Sequence, residues 1–156
     1  MKIYDQTTLY RLSAEARANP RKRKNLNLHP CDDFCCHRFF NAIEPCSYIR
    51  PHRHLDPNKD ETFVIVSGAL GVIMFNDDGS IDRSAVLSVG GPVIAVDIPY
   101  GRYHGAVSLA PGTVFFEAKA GPYVPLSPEE QAQWAPLDGT PEAAEYLSEL
   151  TVQLLG

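Results

Sequence analysis

Two histidines separated by a single residue, His52 and His54, are the residues of this chain best suited to chemistry. Side chains alternate between the two faces of a strand, so these imidazoles are predicted to point to the same side. Glu61 and His104 would complete a set of three nitrogen ligands and one oxygen ligand. Such a set suits iron, manganese, nickel, zinc or copper and leaves coordination positions open. The pattern therefore predicts one divalent metal ion per chain, with room for a small-molecule ligand.

The stretch around the histidine pair resembles the first sequence motif of the cupin superfamily. The motif is matched by the His-x-His pair, by Glu61 and by Gly68, which follows after six residues. Cys46 stands where the family has its first glycine, and the interval between His54 and Glu61 is longer than in the family. Because residues 55–60 read as a loop, the added length is predicted to bulge outward and to leave Glu61 in register.

A second stretch resembles the other cupin motif, Pro-x-Gly-x-x-His. Pro99, Gly101 and His104 match it, whereas Val93 and Ser108 replace the family's upstream glycine and downstream asparagine. The resemblance implies an all-β fold, the cupin jelly-roll β-barrel (double-stranded β-helix), in which two antiparallel sheets enclose a pocket. Short helices are predicted at both ends of the chain.

A closer resemblance, to the WbuC family of cupin-fold metalloproteins, extends over most of the chain. Genes of this family often lie among bacterial surface-polysaccharide genes. The stretches that carry the resemblance are RKRKNLNLH at 21–29, RPHRHLD at 50–56, ETF at 61–63, EAKAGPY at 117–123 and WAP at 134–136. The resemblance implies a metal-binding cupin and leaves the substrate open.

Composition restricts the classes of partner. A chain of 156 residues with 44% hydrophobic content is predicted to form a single cored domain. The net charge of -5 argues against a nucleic-acid partner. No stretch approaches the roughly 20 apolar residues of a membrane span, and the first residues lack the apolar core of a signal peptide. We therefore expect a cytoplasmic protein without a membrane partner.

Four cysteines lie close together in the first third of the chain. In a reducing compartment they are expected to remain thiols and to pack as small hydrophobic residues. A zinc site with His29 and His37 is the alternative, but the spacing lacks the paired Cys-x-x-Cys of structural zinc sites. The cysteines are Cys31, Cys35, Cys36 and Cys46.

The elements are predicted to fall into three parts. Residues 1–35 form an N-terminal arm with a helix at 8–19, residues 36–125 form the barrel, and residues 126–156 form a C-terminal helical extension. Short apolar runs between turn residues predict eight strands. They are 36–43, 46–54, 61–67, 69–76, 84–89, 93–98, 104–109 and 113–119.

The C-terminal extension is predicted to contain two helices. Ser127 begins a short one with a capping-box pattern, and Thr140 begins a longer one. The longer helix has an apolar stripe that must be covered by the barrel's outer wall or by a second subunit. The stripe consists of Ala143, Leu147, Leu150 and Leu154. With apolar stripes in both terminal arms, and because cupins commonly pair, we expect a homodimer.

Basic residues near the predicted site leave alternatives open. The run Arg21-Lys22-Arg23-Lys24 is either a solvated connector or an anion-binding patch, and the family resemblance favours function. Arg50 shares the strand parity of His52, so its guanidinium would bind a carboxylate, phosphate or enediolate beside the metal. Alternatively, Pro51 marks an edge or bulge and Arg50 faces solvent.

Strand 113–119 has two possible inner faces. Propensity favours Val114, Phe116 and Ala118 as core, which makes Glu117 and Lys119 a solvent-facing pair. In the alternative both line the pocket, and burial depresses the pKa of Lys119 so that it acts as an acid or base.

Two tyrosines are considered as proton donors, and one of them, Tyr103, is retained as a catalytic candidate. Tyr103 and Tyr123 could donate protons, although tyrosines more often pack with a satisfied hydroxyl. The candidate catalytic residues are Arg50, Tyr103 and Lys119.

Function follows from an open metal site. We expect a metal-dependent enzyme acting on a small oxygenated molecule, with a sugar-derived one suggested by the polysaccharide association of the WbuC family. Isomerisation or epimerisation ranks ahead of oxygenation. The alternatives are a cupin that binds or senses a ligand without breaking a bond, and a structural metal site with four protein ligands.

Overall fold

The structure, a computed structural model, describes residues 1–156 as two antiparallel β-sheets with one helix against the outer side of each. The predicted all-β architecture with short terminal helices is confirmed. One sheet has the strand order β1-β2-β8-β3-β6 and the other has the order β5-β4-β7. In chain order the elements are α1 (Gln6–Ala18), β1 (Arg23–Asn27), β2 (Cys36–Ile43), β3 (Glu61–Ser67), β4 (Ala69–Phe75), β5 (Ile81–Ser88), β6 (Ala95–Ile98), β7 (Tyr103–Ser108), β8 (Thr113–Ala120), a 3-10 helix (Pro128–Glu130) and α2 (Pro141–Leu155).

The space between the sheets holds the first part of the core. Strands of both sheets send large apolar side chains into it, and alternation along each strand selects which ones. This inner core consists of Ile43, Phe63, Ile65, Leu70, Val72, Leu87, Ile98, Ala106 and Phe115.

Helix α1 covers the outer face of the five-stranded sheet. Asp5 caps the helix by accepting a hydrogen bond from the backbone N–H of Thr8 at 2.9 Å. The helix ends at Ala18, before Pro20, close to the predicted bounds. Its apolar stripe packs on two strand residues in the cluster Leu9, Leu12, Ala16, Ala42 and Val114. Ala42 of β2 and Val114 of β8 are therefore buried on the side of the sheet that faces away from the inner core.

Helix α2 covers the outer face of the three-stranded sheet. Thr140 caps it through the backbone N–H of Ala143, and Pro141 occupies its first turn. The predicted stripe is therefore covered by the barrel's outer wall within the same chain. The buried residues of this outer core are Tyr48, Ile73, Phe75, Tyr103, Val107, Ala132, Ala135, Ala143, Leu147 and Leu150.

One predicted strand is absent, and one observed strand was not predicted. Residues 46–54 do not form a strand, and only His52 makes isolated bridges. Pro51 has no N–H to donate to a ladder. Conversely, Arg23–Asn27 forms β1 within the predicted arm, because it pairs with β2 at the edge of the sheet. No helix of this structure combines the length and apolar character needed to cross a membrane.

The expectation of packed cysteines is also wrong, because all four are exposed thiols. Cys31, Cys35 and Cys46 lie in loops, and Cys36 is the first residue of β2, so none of them lies within the packed part of an element. No group of metal-ligating side chains includes a cysteine.

Candidate metal centre

Backbone hydrogen bonds place the histidines side by side. His52 and His104 exchange N–H to carbonyl hydrogen bonds of 3.0 and 2.8 Å across an antiparallel bridge. The carbonyl of His54 accepts a bond of 2.7 Å from the N–H of Gly101. Gly101 has φ +75°, a conformation that favours glycine, and it forms the turn that brings β7 back to the histidine pair. The segment therefore keeps strand-like alternation without being a strand.

Glu61 enters the site from the five-stranded sheet, on a strand between β8 and the edge strand β6. It is the first residue of β3, where it lies opposite Lys119 on one side and Ile98 on the other. The loop before it is closed by a bond of 3.0 Å from the N–H of Lys59 to the carbonyl of Asp56. Glu61 is 2% exposed. The long loop thus bulges outward while Glu61 keeps its register.

The predicted ligands converge on one place. His52, His54 and Glu61 each offer a ligand atom, and these atoms lie within 4.8 Å of one another. His104 joins them through Glu61, whose Oε2 lies 3.0 Å from the His104 Nε2, while Oε1 lies 2.9 Å from the His54 Nε2. The ring centroids of His52 and His104 are 4.6 Å apart.

The imidazoles of His52 and His104 are oriented as metal ligands are. The Nδ1 of His52 donates to the carbonyl of Arg50 at 3.1 Å, and the Nδ1 of His104 donates to that of Arg102 at 3.0 Å. A carbonyl can only accept, so each Nδ1 carries a proton, and in the neutral imidazole Nε2 then keeps the lone pair that a metal binds. Metal-bound histidines are commonly held by this kind of second contact.

One buried nitrogen atom gives independent support for a metal ion at this site. The Nε2 of His104 is buried and has no hydrogen bond of acceptable geometry, despite its proximity to Glu61. Buried polar atoms are rarely left without a partner, and a metal ion would accept this lone pair. Burial, together with the nearby His104, lowers the pKa of His52 to about 3, which keeps its ring neutral as ligation requires. The donor set therefore fits a divalent ion.

A chain of buried charges adjoins the centre. The ammonium of Lys119 lies 2.6 Å from Glu61 Oε1 and 2.9 Å from Glu117 Oε1. The amide of Asn41 donates to Glu117 Oε2 at 2.6 Å. Burial opposes ionisation of Glu61, but its contacts with the imidazoles and Lys119 outweigh burial and hold its pKa well below the ordinary value.

These contacts correct the prediction for strand β8. Glu117 and Lys119 face the interior, and the favoured outer orientation is wrong, because α1 covers the other face and gives Val114 its own apolar environment. Burial lowers the pKa of Lys119, but Glu117 and Glu61 outweigh it and raise the pKa above its ordinary value. Lys119 therefore stays charged, which excludes the predicted depression. Burial raises the pKa of Glu117 to about 7.

Two cavities meet at the centre. The inner cavity, of about 270 Å³, lies between the sheets and is lined by His52, Glu61 and His104 at its polar end. The side cavity, of about 180 Å³, is lined by His52, His54 and the 120–126 segment. The centre is thus open to two spaces that could hold a small molecule.

The other candidate residues lie at different places. Neither cavity is lined by Arg50, whose Nη1 donates to Gln131 Oε1 at 3.2 Å. Tyr103 belongs to the outer core, beneath the guanidinium of Arg53, which lies 4.4 Å from its ring centroid. Tyr123 is exposed and lines the side cavity. Of the three catalytic candidates, only Lys119 lies at the metal centre.

Two more histidines are buried away from the ligand group. His29 stacks on His37 with a centroid distance of 4.0 Å and also accepts a bond of 3.1 Å from the backbone N–H of Arg38. His29 therefore joins the N-terminal arm to β2. His37 Nε2 lies 2.9 Å from the carbonyl of Asp32.

Several residues that line the inner cavity were not predicted clearly from the sequence. Glu117 was disfavoured there by strand propensity, and Asn41 carried no signal beyond its place in a predicted strand. Arg21 and Arg23 also line the inner cavity, which the basic run had suggested as one of two interpretations. Their inward position depends on β1, which lacks the apolar alternation of a typical strand.

Solved structures of similar fold are cupins. The chain is similar to KdgF from a Halomonas species, with a TM-score of 0.52, 21% identity and coverage of 68% of this chain and 84% of that one. It is also similar to the protein TT1209 from Thermus thermophilus, with a TM-score of 0.55, 22% identity and coverage of 77% and 97%. At these identities the likeness shows the fold alone, which confirms the predicted cupin fold.

Sequence comparison adds a family. No curated protein matches the chain. A family model described as a domain of unknown function, DUF6016, matches residues 4–87, which is more than half of the chain. The chain therefore belongs to the DUF6016 family, and its fold is the cupin fold.

Proposed function

We propose that this protein is a metal-dependent enzyme that acts on a small oxygenated molecule by isomerisation or epimerisation. The observation that carries the proposal is the convergence of His52, His54 and Glu61, with His104 beside them, at the wall of the inner cavity. Three nitrogens and one oxygen leave coordination positions open. An ion there would polarise a substrate oxygen, which acidifies the adjacent carbon.

The remaining polar groups of the cavity support proton transfer. Glu117 lies in the inner cavity, and burial places its pKa at about 7, so it exchanges protons near neutral pH. Lys119 stays charged between Glu61 and Glu117, where it orients both carboxylates and favours negative charge on a bound oxygen. We assign Glu117 as the group that removes and returns a proton, and Lys119 as its positioning residue.

The substrate class has a second support. The five stretches shared with the WbuC family make membership of that family our proposal, and its association with surface-polysaccharide genes favours a sugar-derived substrate. The inner cavity, at about 270 Å³, is at the small end of ligand pockets and suits a single small molecule.

The test is hydrogen exchange at carbon. Metal-loaded protein is incubated in deuterated water with hydroxyketones, keto-sugars and sugar nucleotides, and proton NMR follows deuterium incorporation beside the carbonyl. We expect incorporation with at least one substrate class, a roughly hundredfold or greater loss in Glu117→Gln, and retention in Glu129→Gln, an exposed glutamate outside the cavity. Binding without exchange in every class would contradict catalysis and favour a ligand-binding or sensing role. Oxygen uptake with a substrate would favour oxygenation.

A further inference from the structure

The inner cavity has a basic wall opposite its apolar residues. Besides the proposed metal ligands, it is lined by Arg21 and Arg23, which come from the N-terminal arm and β1. Two arginines and a metal centre thus border one small space. A molecule that reaches the centre through this cavity must lie against them.

Strand register fixes which side chains of β1 face inward. Arg23 lies opposite Ile43, and Asn25 lies opposite Asn41. Directly opposed residues of an antiparallel pair share a face, and both partners point between the sheets. Arg23 and Asn25 therefore face the cavity. Lys24, which lies between them in sequence and opposite Ala42, also borders the cavity.

The two arginines differ in their existing partners. Arg23 is engaged, because its Nη1 donates to the carbonyl of Tyr48 at 2.6 Å and its Nη2 lies 3.1 Å from Asp138 Oδ2. Arg21 has a fixed backbone, since its carbonyl accepts from Ser47 Oγ at 2.7 Å. Its guanidinium makes no hydrogen bond or ion pair. Arg21 is an exposed residue at the border of the cavity, and its guanidinium donors have no partner within the protein.

The charges around the cavity do not balance. Arg21, Arg23, Lys24 and Lys119 contribute four positive charges, and the proposed divalent ion would add two. Against them stand three carboxylates: Asp138, which pairs with Arg23, Glu61, which belongs to the metal centre, and Glu117, which is partly protonated near neutral pH. A cleft with an excess of positive charge concentrates and selects anions.

We propose that the ligand of this site is a small acid, with a carboxylate or phosphate bound by Arg21 and an oxygen-bearing end at the metal ligands. This inference rests on the proposed function, because it names the substrate class of the same centre. A guanidinium with free donors binds both kinds of anion through paired hydrogen bonds. Arg23 holds the wall in place through Tyr48 and Asp138 and acts as a positioning residue.

The test uses two matched pairs of probes with cobalt-loaded protein. The acid α-ketoglutarate is compared with α-ketovalerate, which has a methyl group in place of the second carboxylate. Dihydroxyacetone phosphate is compared with dihydroxyacetone. Calorimetry gives the affinities, and the cobalt absorption spectrum reports whether each probe reaches the metal. Arg21→Gln is compared with the control variant Lys22→Gln, which also removes one positive charge. The Lys22 ammonium donates to the carbonyl of Arg17 and does not line the cavity.

We expect the anionic member of at least one pair to bind roughly fivefold more tightly than its neutral-tailed partner. That preference should vanish in Arg21→Gln and persist in Lys22→Gln. Equal affinities within both pairs, or a preference that survives Arg21→Gln, would overturn the inference while the cobalt response leaves the proposed function intact. A spectrum that none of the probes perturbs would contradict the open metal centre itself, and the inference would fall with it.

Discussion

The two ends of the space between the sheets are built from the same strands and hold opposite kinds of side chain. Along β3 the inward residues change from Glu61 to Phe63, and along β7 they change from His104 to Ala106. One end is an apolar core, and the other is a cluster of buried imidazoles, carboxylates and an ammonium. Burying charge costs free energy that an apolar end would not, so the polar end is explained by function and the apolar end by stability.

The largest effect is expected at the apolar end. Leu70 is fully buried in the inner core and lines neither cavity. Leu70→Ala should lower the free energy of unfolding by about 2–5 kcal/mol, because it leaves a void that the sheets cannot close. Chemical denaturation measures the loss. Metal content per folded chain should stay unchanged. Loss of metal from the folded variant would contradict the assignment of stability to the apolar end and of metal binding to the polar end.

Metal removal should have the next largest effect. An ion that binds only the folded chain stabilises it by about 2.7 kcal/mol at a hundredfold excess over its Kd. Stripping with a chelator should therefore lower the melting temperature of the wild type. Glu61→Gln should melt at the same temperature with and without metal, whereas Leu70→Ala should keep the shift. A metal-dependent shift in Glu61→Gln would contradict the assignment of this carboxylate.

A smaller loss of unfolding free energy is expected when the neutral side chain of Asn41 is removed from the polar end. Asn41 donates to Glu117 at 2.6 Å, and without it the buried carboxyl loses a hydrogen bond. Asn41→Ala should cost about 1 kcal/mol of unfolding free energy. Asn25→Ala is the control, because Asn25 faces the same cavity but bonds only Asn27. An equal loss of unfolding free energy in both variants would show that the hydrogen bond from Asn41 to Glu117 does not stabilise the fold.

A further effect is a change in the pH dependence of stability. Burial raises the pKa of Glu117 from 4.5 to about 7, so the folded protein binds more protons than the unfolded chain between these values. The contribution of Glu117 therefore decreases stability as pH rises from about 4.5 to about 7. His52, whose lowered pKa acts in the opposite direction, is present in wild type and Glu117→Gln alike. Metal-free Glu117→Gln should gain stability relative to wild type across this window, and a constant difference would contradict the burial effect.

The sequence was informative where spacing alone determines placement. The His-x-His pair and Glu61 are separated by one loop, residues 55–60. The length of this loop determines where Glu61 lies relative to the pair, and the motif spacing reflects that length. The same holds for β2, whose predicted bounds of 36–43 are those observed. The fold class followed from the same motifs and from short apolar runs between turns.

The sequence was misleading where both faces of a strand are buried. Val114 and Glu117 each lie in a buried environment, one beneath α1 and one in the cavity, so hydrophobicity could not decide which faces inward. Strand β1 was missed because it lies at a sheet edge and is mostly polar. The predicted strand 46–54 failed because its hydrogen bonds go to loops and to His104, contacts between residues distant in sequence.

Metal content of untagged protein tests the central claim most directly. Elemental analysis of the wild type should give one divalent metal per chain, and His52→Ala should give almost none. His37→Ala is the matched control, since His37 is also buried and lines the side cavity but bonds the carbonyl of Asp32 instead. It should keep one metal per chain. Full metal content in His52→Ala, or equal loss in His37→Ala, would contradict a centre built on His52, His54, Glu61 and His104.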